Sequence, residues 1–268
     1  MSFSTSEISN ALRHVHQCLG YMSTEAIREQ MHETLLIAKE DPSLYIEWRM
    51  AEAALGHPDA IRLLHEALEH TKTNADSKVS IYEQLAAVCA SGGDNRSARR
   101  YLHSALDIAQ DTAHAAVGRL SCRLACHLLS SGLPEEAEPL LWRALESAEG
   151  AREVALCSMV AALMLSRGQW HEAQAMGVRI TKCAADRGNW LGVADGLITQ
   201  ATALVKRGDI EEAIGLLVHG GHHLRRVGSR SSLNLIKIKL LEIRRTHNDS
   251  EFDELLKKAN QTGDWPMA

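Results

Sequence analysis

The amino-acid sequence predicts an all-α protein built from repeated helical hairpins, and three observations predict it. The composition is 45% hydrophobic and 24% charged but only 4% aromatic, rich in Ala, Leu, Glu and Arg. Those side chains lose little rotamer freedom in a helix. Prolines number five, and apolar/polar alternation of the β type is almost absent. Third, one glycine–alanine register recurs along the chain.

The register is plainest in four strings: "SGGDNRSA", "SSGLPEEA", "SRGQWHEA" and "KRGDIEEA". Their glycines are Gly93, Gly132, Gly168 and Gly208, at intervals of 39, 36 and 40 residues. Alanine follows each five residues later, at Ala98, Ala137, Ala173 and Ala213. A looser copy, "LGHPDA", sets Ala60 four residues after Gly56. Seven residues before the four glycines stand Ala86, Ala125, Ala161 and Ala201.

After the alanine comes a large residue at +4 and a small one at +7. Ala60/Leu64/Ala67, Ala98/Leu102/Ala105 and Ala137/Leu141/Ala144 follow this pattern. Ala213/Leu217/Gly220 follows it with glycine as the small residue, and Ala173/Gly177/Ile180 swaps the sizes. Spacings of 4 and 7 lie on one helical face, so each triplet is a packing stripe that allows close approach. The glycine suits a left-handed cap on the first helix, and Asp209 or Pro134 then starts the second. Pro139 falls inside a helix, where it removes a hydrogen bond and should bend the first turns.

The ends extend the scheme. "STEAIREQMHETLLIAKE" after Gly20 reads as the second helix of an N-terminal hairpin. "SSLNLIKIKLLEIRRTHNDSEFDELLKKA" reads as a final hairpin turning at Asn248.

These features resemble the tetratricopeptide (TPR) repeat, well over residues 43–226 and more weakly at 1–42 and 227–268. The resemblance implies one domain spanning 1–268, with about seven antiparallel hairpins in a right-handed superhelix. The intervals exceed the usual 34 residues of that family, so the helices should be longer, as in repeat arrays of bacterial signalling and transcription regulators. Several units lack the family's large aromatics, with Tyr82 and Trp170 as exceptions.

Chemistry is hard to find in the chain. "HGGHH" at His219–His223 offers histidines four apart, but Leu224, Arg225 and Arg226 follow, and cations repel a metal ion. Gly220 occupies the small-residue slot of the register, which favours packing over ligation. Cys122 and Cys126 have helical spacing with His127 beside them, short of the four ligands tetrahedral zinc needs. No GxxxxGK[ST], GxGxxG or HExxH string occurs. The expectation is a protein that is not an enzyme and holds no cofactor or metal. Six cysteines without framework spacing point to reduced thiols in a cytoplasm. The start lacks the basic and apolar regions of a secretory signal, and no apolar run approaches a membrane span.

Function then falls to surfaces. In the TPR family the first helices of successive hairpins line a concave binding face. Carried over by register, the resemblance implies partner-binding positions at Glu83, Gln84, Arg119, Arg123, Met159, Asp195, Thr199 and Lys206. Arg119 and Arg123 lie one turn apart, and two guanidiniums there suit a partner carboxylate. The alternative is that they neutralise acids on neighbouring hairpins. A second surface is basic in a chain of net charge −5: residues 219–247 hold seven Lys/Arg against one acid, Glu242. These are Arg225, Arg226, Arg230, Lys237, Lys239, Arg244 and Arg245, read as a solvated face or, alternatively, a nucleic-acid site. The expected function is a cytoplasmic adaptor that binds a protein or peptide in a regulatory or assembly system.

Overall fold

A computed structural model describes residues 42–54, 58–71, 74–112, 115–247 and 249–261. The expected N-terminal hairpin and the turns at Gly56 and Asn248 lie outside the described residues. Within them the chain is helical, without a strand. It forms two compact units, Met1–Gly132 and Leu133–Ala268.

The first unit contains α1 (Pro42–Ala54), α2 (Ala60–His70), α3 (Ala75–Ser91), α4 (Asn95–Asp111) and α5 (Val117–Ser130). Helices α1 and α2 pair as a hairpin, as do α3 and α4, and α5 packs on α4. The second contains α6 (Pro134–Glu146), α7 (Ala151–Ser166), α8 (Trp170–Ala185), α9 (Trp190–Arg207), α10 (Ile210–Arg226), α11 (Arg230–Thr246) and α12 (Asp249–Gln261). Each helix there packs on the next, and α7 with α9, α9 with α11, and α10 with α12 also touch.

The register glycines make the turns. Gly93, Gly132, Gly168 and Gly208 all have positive φ, between 73° and 95°. At Gly93 the amide donates to the Ala90 carbonyl at 3.0 Å, and the next amide, Asp94, donates to Cys89 at 2.8 Å. This double closure satisfies carbonyls that a helix end leaves unpaired. Asp94 then caps α4, its Oδ1 accepting from the Ser97 amide at 3.0 Å. The sequence reading missed a second set of turns at Gly150, Gly188 and Gly228, also with positive φ. Their signal was present: Gly168, Gly188, Gly208 and Gly228 stand every 20 residues, one per helix.

The packing stripes are buried as expected. Ala98, Ala137, Ala173 and Ala213 are 0% exposed, and Ala86, Ala125, Ala161 and Ala201 at most 1%. The size-swapped unit has a clear role. A Cβ on Gly177 would lie 2.9 Å from the Gly196 carbonyl oxygen, and one on Gly196 would lie 2.6 Å from the Thr181 amide. Helices α8 and α9 therefore cross backbone against backbone. Gln200 seals the crossing, donating to Thr181 Oγ1 at 3.0 Å and to the Gly196 carbonyl at 3.3 Å. Helix α6 stays continuous through Pro139.

Candidate functional site

The first helices of the repeat in the first unit include α3 and α5, and here the anticipated arginines meet an acid. Glu83 of α3 is 8% exposed. Its Oε1 accepts from Arg119 Nη1 and, at 2.9 Å, from Arg123 Nη1, both on α5. The two arginine side chains stay 44% and 36% exposed. The carboxylate they hold is thus supplied from the neighbouring hairpin, which is the alternative the sequence left open. Two cations facing one anion leave this patch positive. Gln84, beside Glu83, is half-buried, and its Oε1 lacks a hydrogen-bond partner among the described residues.

Cys122 and Cys126 share this face of α5. The Cys122 side chain hydrogen-bonds Cys126, which holds the exposed Cys126 thiol down to about 6. Burial instead pushes Cys157 up to about 11.

In the second unit the expected positions scatter in exposure. Asp195 is exposed and accepts from Ser158 Oγ at 2.6 Å, linking α7 to α9. Met159 is half-buried and Lys206 exposed, but Thr199 is only 9% exposed and has little surface to offer a partner.

"HGGHH" lies in α10 and does packing work. A Cβ on Gly220 would stand 2.4 Å from Leu197 Cδ1 of α9. Gly221 is buried, 3.6 Å from Leu233 and Ile236 of α11 on the same measure. His219 Nδ1 hydrogen-bonds the Gly215 carbonyl at 2.6 Å, and the His223 ring meets Trp190 edge-on with centroids 5.6 Å apart. His219 and His223 are thus held by contacts within α10 and to α9, while His222 is exposed.

The basic stretch divides in two. Lys239 pairs with Glu242 at 2.8 Å, and Arg244 ties α11 to α12 through Asp249 at 3.0 Å and Asp253 at 3.3 Å. Arg225, Arg226, Arg230, Lys237 and Arg245 are exposed and form no ion pair among the described residues. Sequence reasoning missed what stands among them: Leu235, Ile238 and Leu241 of α11, all exposed. The signal was an excess. Residues 233–243 contain seven apolar side chains, more than one buried helix face accommodates.

No described helix is long and apolar enough to cross a membrane. No family model matches the chain, and no curated protein matches it. Solved structures do. The chain is similar to BtubC (BKLC) from P. vanneervenii, with TM-score 0.57 and 19% identity, over 83% of this chain and 92% of that one. It is similar to the apo form of the quorum sensor NprR from B. thuringiensis, with TM-score 0.53 and 14% identity, over 98% and 82%. Kinesin light chain nearly identical TPR-like repeats from Podosopora anserina give TM-score 0.50 and 17% identity, over 77% and 98%. At these identities the likeness shows the fold, a TPR-like all-α repeat.

Proposed function

We propose that this TPR-like chain is a non-enzymatic interaction scaffold that receives a protein or peptide segment on the first helices of its repeats. The Arg119–Glu83–Arg123 cluster carries the reading. It places donors with excess positive charge, already held in orientation by Glu83, on an accessible face. A partner carboxylate can add to guanidinium N–H groups that Glu83 leaves unused, and hydrogen bonds to charged groups contribute about 1.5–3 kcal/mol each. Small and soft neighbours on the same two helices, Ala87 and Cys122 among them, suit a surface that accepts varied peptides. The similarity to a quorum sensor favours a regulatory setting, and the free thiols favour the cytoplasm.

A phage-displayed random peptide library panned against the full chain tests this. Enriched peptides should contain Asp or Glu. They should lose binding to a Glu83→Gln/Arg119→Gln/Arg123→Gln variant, whose neutral side chains avoid stranding a buried charge. Peptides that bind both proteins equally would refute the site. A second reading, nucleic-acid association, has the five unpaired cations near α11 in its favour; binding that weakens steeply with salt would mark it.

A further inference from the structure

The exposed face of α11 combines two features that are rarely left side by side in water. Leu235 is 39% exposed, Ile238 61% and Leu241 54%. Ile236 and Ile243, on the opposite side of the helix, are 1% and 2% exposed, so the core has its own apolar stripe. The exposed stripe is a second one. Ile238, Leu241 and Arg245 follow one another at spacings of three and four, and Leu235 precedes Ile238 by three, so all share a face. Lys237 lies four residues before Leu241, and Arg230 seven before Lys237, which forms a cationic edge along the same stripe. Arg230, Lys237 and Arg245 have no ion-pair partner among the described residues.

We infer that this face of α11 docks an acidic amphipathic helix of a partner protein, apolar side chains on Leu235, Ile238 and Leu241 and carboxylates toward Arg230, Lys237 and Arg245. The charges choose the occupant. A second copy meeting this face about a two-fold axis would bring the same cations together, and like charges disfavour that interface. A nucleic-acid backbone would satisfy the cations but set phosphates against Ile238 and Leu241, where their water is lost without a partner. An apolar stripe with one acidic edge, laid on the Arg230, Lys237 and Arg245 side and away from Glu242, satisfies both features, the arrangement of helix-on-helix recognition. The inference rests on reading the chain as an interaction scaffold, but it uses a different helix, in the second unit, from the Glu83 cluster in the first.

Fluorescence anisotropy with the full chain tests it, the probe being a labelled synthetic helical peptide with Leu along one stripe and Glu along one edge of it. The wild type should bind this probe roughly tenfold or more tightly than a shuffled peptide or a Lys-edged one. Ile238→Ser/Leu241→Ser and Lys237→Glu/Arg245→Glu should each weaken binding about tenfold or more, with unchanged circular-dichroism melts because these side chains are exposed. The charge-reversed variant should gain affinity for the Lys-edged peptide. The glutamine variant at Glu83, Arg119 and Arg123 should keep the wild-type preference for this probe over the shuffled peptide, which has the same acidic composition. A loss there would move the probe to α3 and α5 and overturn the assignment to α11. No preference among the peptides, or full binding by the serine variant, would also overturn it. So would tighter binding of a short DNA duplex, or light scattering that shows a dimer dissolved by the serine variant.

Discussion

Glu83 shows how one side chain changes the meaning of two others. From sequence, Arg119 and Arg123 suit either a partner carboxylate or an acid of a neighbouring hairpin; in the fold they share the carboxylate of a residue 36 and 40 positions away. Glu83→Gln should therefore destabilise the first unit. Loss of a buried ion-pair partner can cost about 3–5 kcal/mol, but these arginines are more than a third exposed and water recovers part of it. A loss of about 1–2 kcal/mol in urea denaturation is the expected result. Adding Arg119→Gln and Arg123→Gln should restore part of that loss, and strictly additive effects would show that the three residues do not interact. Cys126 offers a separate prediction. The thiolate is the nucleophile, and the Cys122 hydrogen bond lowers the Cys126 pKa to about 6. Iodoacetamide should label Cys126 before Cys89, Cys157 and Cys183, whose burial raises their thiols, its rate rising through pH of about 6 and then levelling. Cys157, pushed up to about 11 and buried, should remain unlabelled in the native state. Cys122→Val should move the Cys126 midpoint upward. Equal labelling of all cysteines at neutral pH would contradict the arrangement.

At the scale of elements, the α8–α9 crossing is the point of least tolerance. Gly196→Ala would press a Cβ against the Thr181 amide nitrogen at 2.6 Å and the Gly177 carbonyl at 2.8 Å, backbone atoms that cannot turn away. Gly220→Ala meets Leu197 Cδ1, the end of a side chain that can rotate. Both alanines gain helix propensity of about 1 kcal/mol, so the balance differs between the two sites. Gly196→Ala should cost at least about 1–3 kcal/mol net of overpacking, and Gly220→Ala should be close to neutral. Thermal melts compare them directly; equal melting temperatures would mean that α8 and α9 do not touch as described. At Gly208 the constraint is backbone alone, with φ of 95° and open space where a Cβ would stand. Gly208→Ala should lose about 1–2 kcal/mol for that reason, with Asn in its place costing less.

For the molecule as a whole, the same crossing predicts where native protection is greatest. Amide hydrogen exchange should be slowest in α8 and α9, where backbones meet and Gln200 closes the gap. It should be faster in α11 and α12, whose exposed faces carry Leu235, Ile238 and Leu241. Slowest exchange in α11 would overturn that ranking.

What the sequence determined by itself was periodic. The glycine at each turn, the alanine five residues on and the 4–7 stripe are local consequences of helix geometry, so hairpins, turns and core positions could be read one residue at a time. The second turn set at Gly188 and Gly228 was equally legible at a 20-residue spacing and was overlooked. What only the tertiary structure decided was pairing between distant residues. Whether Arg119 and Arg123 await a ligand or hold Glu83, and which side chain packs against Gly220, depend on what other hairpins bring near. Thr199 is buried and Leu235, Ile238 and Leu241 are exposed for the same reason. Helical periodicity says that a residue lies on a face, but burial of that face depends on whether a neighbouring helix covers it, and no local spacing encodes the neighbour.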